Sequence, residues 1–175
     1  MSFKIVVDSC CDLTAQMLKD PCFVKGPLPI HSNGSTFVDD DTFDQADLLW
    51  SMKQSDQAPS TACPSPQAYL DAYQCGVEDV YVVTLSALLS GSHNSAEQAR
   101  VLLEEHPERN IHVFNSCSAA AGEVLVALKI RELAQSGMPF KKVVREVEQY
   151  IYQMQTMFVL ETLENLRKNG RLTKL

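Results

Sequence analysis

Short apolar runs alternate along this chain with stretches whose apolar residues recur every three to four positions. Lys4-Ile5-Val6-Val7-Asp8 is apolar through its middle and ends on a carboxylate, as a strand buried on both faces should. Ser9 to Leu13 then turns toward a short helix expected to reach about Lys19. Val24 to Leu28 reads as a second strand, marked by Gly26 and Pro27 as an edge or irregular piece. The Asn33-Gly34 pair between Ile30-His31 and Thr36-Phe37-Val38 predicts a tight hairpin. A helix follows from about Asp44 to Lys53, with Asp39-Asp40-Asp41 as the solvated turn before it.

Ser65-Pro66 is an N-cap and first-turn pair, opening a helix to about Cys75 with Gly76 just past its end. Val80 to Thr84 is the third strand, and Ser92 to Glu105 the helix after it, with Ala96, Ala99, Val101, Leu102 and Leu103 apolar. Ile111 to Phe114 is the fourth strand, followed by a helix through Gln135 that Gly137 closes. Phe140, Val143, Val144, Val147, Ile151 and Met154 mark an amphipathic helix. Met157 to Leu160 resumes strand-like character, and Leu163 to Lys168 forms a last short helix.

Strand and helix in alternation predict an α/β fold, a three-layer sandwich with a mostly parallel sheet and helices on both faces. In such sheets a ligand sits outside the carboxyl ends of the strands, where the strand order reverses. Residue types at those ends matter for that reason. Val80-Tyr81-Val82-Val83-Thr84 breaks into Leu85-Ser86-Ala87-Leu88-Leu89-Ser90-Gly91-Ser92, and hydroxyls also end the runs at Ser9 and Ser116. A strand feeding a helix through Ser and Gly aims backbone N–H groups and hydroxyls at one point, which suits an anion. Pro59-Ser60-Thr61-Ala62-Cys63-Pro64-Ser65-Pro66 looks suited to the same task, and Thr61 lies in a proline-bounded loop where it need not cap a helix.

The chain has 175 residues, 45% of them hydrophobic, enough for one domain with a real core. Its net charge of −7 argues against a nucleic-acid surface. No apolar run approaches the roughly 20 residues that span a bilayer, so no membrane span is expected. Met1-Ser2-Phe3-Lys4 enters a strand-like run at once and lacks the three-part build of a signal peptide, which makes a cytoplasmic location the expectation. Cys10, Cys11, Cys22, Cys63, Cys75 and Cys117 include no C-x-x-C pair and read as reduced thiols, with no metal site. Neither G-x-x-x-x-G-K-[ST] nor G-x-G-x-x-G is present, and no cofactor is indicated.

Two other chemistries fit parts of the pattern. Cys117, Cys63 or Ser90 could serve an acyl hydrolase as nucleophile, although no G-x-S-x-G elbow accompanies His93 and no paired carboxylates lie near the hydroxyl loops. Alternatively, the hydroxyls serve only as helix caps in a non-catalytic regulatory interaction domain.

Several segments together resemble the DegV family of bacterial fatty-acid-binding proteins. Asp8-Ser9 with Asp12-Leu13 is similar to its opening motif, and Pro59-Ser60-Thr61-x-x-Pro64-Ser65 to its Thr loop. Leu85-Ser86-x-x-Leu89-Ser90-Gly91-Ser92 resembles its Ser-Gly loop. Asn115-Ser116 with Gly122, and Leu163-Glu164-x-Leu166-Arg167-Lys168-Asn169-Gly170-Arg171-Leu172, complete the series. Departures are Ala62-Cys63 in place of a usual Ser-Gln, Asn115 in place of Asp, and His93 in place of an aromatic residue.

The resemblance implies a non-enzymatic carrier that buries a long-chain fatty acid between two domains. It implies that Thr61 and Ser90 grip the acyl carboxylate, with Ser60, Ser86, Gly91 and Ser116 around them. Arg171 matches a basic residue near the carboxylate or a partner. The partner implied is a fatty-acid kinase subunit that phosphorylates the presented carboxylate with ATP. On this pattern residues 1–155 are an N-terminal α/β domain and 156–175 the start of a second domain, which the chain lacks. A buried methylene contributes ~0.8 kcal/mol, so a long tail supplies on the order of 10 kcal/mol gross. Each hydrogen bond to the carboxylate adds roughly 1.5–3 kcal/mol. Without the second domain, little lipid should be retained.

Overall fold

In chain order the first half of the molecule forms β1 (Phe3–Asp8), β2 (Phe23–Gly26), β3 (Pro29–Ser32), β4 (Ser35–Val38), α1 (Gln45–Lys53) and β5 (Ser60–Thr61). The second half forms α2 (Pro66–Tyr73), β6 (Asp79–Thr84), α3 (Ser92–Leu102), β7 (Asn110–Asn115), α4 (Ala121–Gln135), α5 (Phe140–Gln153) and α6 (Glu164–Lys168). These elements come from a computed structural model that describes residues 2–103, 109–157, 159–168 and 170.

Four strands run parallel in the order β2-β1-β6-β7. Val6 lies beside Val82 and Val82 beside Val113; one position on, Val7, Val83 and Phe114 line up in the same way. Alternation along each strand divides the side chains between two helical layers. Val6, Val80, Val82 and Val113 pack on Tyr69 and Tyr73 of α2 and on Ala96 and Ala99 of α3. Ile5, Val7, Tyr81, Val83 and Phe114 pack on Val126 and Ile130 of α4 and on Val143, Val147 and Ile151 of α5. With both faces covered, each strand core is continuously apolar, and each fully buried Val or Ile contributes about 1.5–3 kcal/mol. The buried phenols of the first layer are satisfied: Tyr73 Oη donates to Ala96 O at 2.9 Å. The expected three-layer α/β sandwich is the fold.

A second, three-stranded antiparallel sheet runs β4-β3-β5. Its hairpin turns on Asn33 and Gly34, at φ 48° and 75°, the left-handed pair that a two-residue turn between twisted strands requires. β5 is only two residues long and sets Ile30 beside Thr61 and His31 beside Ser60. Its formation depends on a partner strand about thirty residues upstream, so the local sequence carried no strand signal.

Two expectations are corrected. The helix expected after Ser9 reduces to a single 3-10 turn at Met17–Lys19, because Cys11 N–H and Cys10 N–H fold back onto Asp8 and hold the chain in turns. Met157, Val159 and Leu160 are not in a strand. They stand 90%, 99% and 46% exposed and, among the described residues, belong to neither sheet. Of the apolar positions of α3, Val101 and Leu102 face solvent, and the helix buries only its small residues Ser92, Ser95, Ala96 and Ala99. No described helix is long and apolar enough to cross a membrane.

Candidate functional site at the carboxyl edge of the parallel sheet

β1 and β6 are neighbours, but the chain leaves β1 toward β2 on one side and leaves β6 toward β7 on the other. Their carboxyl ends therefore lie at the switch in strand order, where sheets of this kind place a ligand crevice. Asp8 closes β1 at this point and is fully buried. Its Oδ1 accepts from Cys10 N–H at 3.1 Å, and its Oδ2 accepts from Leu85 N–H at 2.9 Å and from Ser92 Oγ at 2.8 Å. Since the Ser92 hydrogen is committed to Asp8, the Tyr69 hydroxyl donates to Ser92 Oγ, at 2.6 Å. A carboxylate thus gathers the end of β1, the end of β6 and the start of α3.

The loop between β6 and α3 is wound tightly above this knot. Ser90 N–H donates to Ser86 O at 3.1 Å, and the buried Ser86 hydroxyl accepts from Leu88 N–H at 3.3 Å. Ser90 Oγ accepts from Ser92 N–H at 3.2 Å. Ser90 thereby caps α3, yet as the acceptor it keeps its own hydrogen to donate. It is half-buried, and Leu88 and Leu89 beside it are 96% and 41% exposed. The first-turn N–H groups of α3 open at the same place.

The Thr61 loop meets this one. A Cβ on Gly91 would stand 3.2 Å from Cys63 Sγ, and the same sulfur lies 3.5 Å from Ser95 Oγ in the first turn of α3. Thr61 is two residues and Ser90 one residue from that contact. Both Thr61 and Ser60 are exposed. Successive residues of a strand face opposite sides, so Ser60 and Thr61 address different faces of β5. Gly91, at φ −75°, needs no special backbone; its missing side chain is what lets the sulfur approach.

The third hydroxyl loop, after β7, is knitted to the second. Ser86 N–H donates to Ser118 O at 2.8 Å, and Asn115 Oδ1 accepts from both Ala87 N–H and Cys117 N–H at 3.1 Å. Ser116 is buried and spends its hydroxyl within its own turn, donating to Ser118 O and accepting from Ser118 N–H. A Cβ at Gly122 would fall 1.9 Å from Ser118 Oγ, so α4 can begin here only with glycine. An apolar groove of about 560 Å³ opens beside this turn, lined by Ser118, Gly122, Leu125, Met154, Thr156 and Met157. Arg171 lies outside the described residues.

Two functional side chains escaped sequence reasoning. Asp8 was read as a strand end and part of an opening motif, with no role assigned, and two of its donors lie 77 and 84 positions away. Glu123 in α4 is fully buried beneath the crevice. A signal existed for it: Glu123 occupies the same helical stripe as the buried Val126, Ala127 and Ile130. Burial, then the charge of Asp8, pushes the Glu123 carboxyl up to about 10. Burial also raises Asp8, opposed by its hydrogen bonds from Leu85, Ser92 and Cys10. The nearby Cys10 thiol is pushed up to about 12 by burial and by Asp8.

As chemistry, the crevice offers neutral donors. His93 Nδ1 sits 3.4 Å from Thr84 Oγ1, whereas Cys63 faces Ser95, so imidazole and thiol each meet a hydroxyl instead of each other. Among the described residues no group of three or more His, Cys, Asp or Glu converges as metal ligands would.

Residues 2–175 match a family model described as an uncharacterised protein of the DegV family. The chain is 42% identical to a DegV domain-containing protein of Streptococcus pyogenes serotype M1, over all of this chain and 63% of the relative. Its fold superposes on a DegV-family crystal structure from Ruminococcus gnavus with vaccenic acid, with a TM-score of 0.95 and 48% identity, over 99% of this chain and 63% of the other. It also matches the Streptococcus pneumoniae fatty acid kinase (Fak) B3 protein loaded with linoleic acid, with a TM-score of 0.91 and 39% identity, covering 99% and 62%. The chain therefore spans less than two thirds of the length of these relatives.

Proposed function

The chain belongs to the DegV family, and from that premise we propose that the complete protein carries a long-chain fatty acid whose carboxylate is held by the hydroxyls of Thr61 and Ser90. The observation that carries this reading is the approach of Cys63 Sγ to Gly91, where an added Cβ would stand 3.2 Å away, and to Ser95 Oγ at 3.5 Å, which brings two sequence-distant hydroxyl loops together at the N-terminus of α3. The R. gnavus and S. pneumoniae relatives, solved with vaccenic and linoleic acid, support the ligand class.

Neutral donors leave the bound acid ionised. An ionised carboxylate can attack the γ-phosphorus of ATP, forming an acyl phosphate and releasing ADP, in the active site of a partner kinase subunit. The carrier makes and breaks no covalent bond; it orients the head group in the cytoplasm, while the tail supplies affinity. Hydroxyl hydrogen bonds to the carboxylate are worth roughly 1.5–3 kcal/mol each and distinguish an acid from an alkane. Ser90 binds through the hydrogen that its capping bond leaves over, and Gly91 keeps the crevice narrow. Ser86 and Ser116 shape the loops from within. Ser60 belongs to the rim, and the family resemblance gives Arg171, outside the described residues, a role toward the carboxylate or the kinase.

Replacing both hydroxyls, Thr61→Ala with Ser90→Ala, in the complete protein tests this. Organic extraction and mass spectrometry of the purified protein should find bound fatty acid reduced at least ten-fold. Lipid content equal to the wild type overturns the assignment of these two residues.

A further inference from the structure

Glu123 has one oxygen placed and one stranded. Its Oε1 accepts from Ala120 N–H at 3.2 Å, where Ala120 holds a left-handed φ of 53°, a conformation that costs a residue with a Cβ. Its Oε2 is buried with no donor facing it. Asp8, by contrast, receives three hydrogen bonds, from Cys10 N–H, Leu85 N–H and Ser92 Oγ. Two carboxyl groups in contact inside a protein do not both ionise, and the proton goes to the one with fewer donors. That member is Glu123. A hydrogen on Oε2 turns a stranded acceptor into a donor, and the Asp8 carboxylate is the acceptor beside it.

We propose that Glu123 is a positioning residue: held as the neutral acid, it donates from Oε2 to Asp8 and so keeps the Ser86–Gly91 loop in the shape that receives the acyl head group. The last clause rests on the carrier reading above; the place of the proton does not.

The surroundings agree. The titratable groups that face Glu123 are Asp8 at the end of β1 and Asp12, Cys10 and Cys11 in the turns after it, all of them acids. Asp8 and Asp12 disfavour a negative charge at position 123, as burial does, and the Glu123 carboxyl lies well above the ordinary carboxylate range. The bond is a hinge pin. Through Asp8 it reaches Leu85 at the mouth of the loop and Ser92 at its exit, and through Ala120 it fixes the turn that carries Ser118. Ser118 O in turn receives Ser86 N–H. One proton thus braces two of the three hydroxyl loops.

The test uses the complete protein and two variants, Glu123→Gln and Glu123→Ala. Infrared difference spectra near neutral pH should show a protonated carboxyl stretch, sensitive to deuteration, that disappears in Glu123→Gln. A glutamine can still accept from Ala120 through Oε1 and donate to Asp8 through Nε2, so Glu123→Gln should retain fatty acid within about two-fold of wild type. Glu123→Ala should lose it by ten-fold or more; if that variant does not fold, the band and the glutamine variant decide. Absence of the protonated band overturns the proposal, and so does a glutamine variant as empty as the Thr61→Ala, Ser90→Ala protein. If wild-type protein carries no fatty acid at all, the carrier reading falls, while the band alone still decides where the proton sits.

Discussion

Ser92 Oγ donates to Asp8 Oδ2 at 2.8 Å across 84 positions of sequence, with both side chains buried. This bond fastens the first turn of α3 to the end of β1, and Tyr69 of α2 completes it by donating to the same serine. The crevice floor is therefore one hydrogen-bonded unit spanning a strand and both helices on that face. Removing one member of such a unit strands the others, and a buried unsatisfied group costs about 1–3 kcal/mol. Ser92→Ala should lower unfolding free energy by that amount in urea denaturation. Asp8→Ala, which strands Leu85 N–H as well as the Ser92 hydroxyl, should cost more. If the two variants are equally stable, Asp8 is not the centre of the unit.

The raised carboxyl of Glu123 sets a direction for the pH dependence of stability. Its proton is held in the folded state up to about 10 but leaves the unfolded chain in the ordinary range, near 4.5. Between those values the folded state binds more protons, so stability falls as pH rises. The contribution is full below about 4.5 and is lost as pH approaches about 10. Urea midpoints measured from about pH 6 to pH 9 should decline in the wild type, and the decline should be shallower in Glu123→Gln.

At the mouth of the crevice, Gly91 and Cys63 stand so close that a methyl on the glycine would sit 3.2 Å from the sulfur. Gly91→Ala should push the two loops apart by a few tenths of an ångström, enough to weaken head-group hydrogen bonds whose geometry is steep. Bound fatty acid should fall several-fold. Cys63→Ala in the same protein removes the sulfur and should restore it, since the backbone at Gly91 tolerates a side chain. A double variant no better than Gly91→Ala would mean that the loss arises elsewhere.

Much of the frame was legible because it rests on local pattern. The apolar cores of β1, β6 and β7, the Asn33-Gly34 turn and the Ser65-Pro66 helix start all announce themselves within a few residues. β5 did not, since Ser60 and Thr61 become a strand only by pairing with Ile30 and His31. The strand read at Met157–Leu160 has the composition, but its described residues join neither sheet. The hydroxyls divided in a way that spacing could not foretell: Ser116 is consumed inside its own turn, while Ser90 caps a helix and keeps a hydrogen. Asp8 and Glu123 were the hardest to read, because each takes its role from partners far along the chain or beneath it.

Strand order also constrains how the molecule is made. β1 lies between β2 and β6, and β6 begins only at Asp79. During synthesis one edge of β1 stays without its neighbour while everything from Ser9 to Glu78 emerges. An unpaired apolar edge of that kind invites pairing with other chains, and parallel partners so distant join slowly. Nascent chains halted before Thr84 should therefore be protease-sensitive and prone to bind chaperones, whereas those that have released β6 gain a protected core.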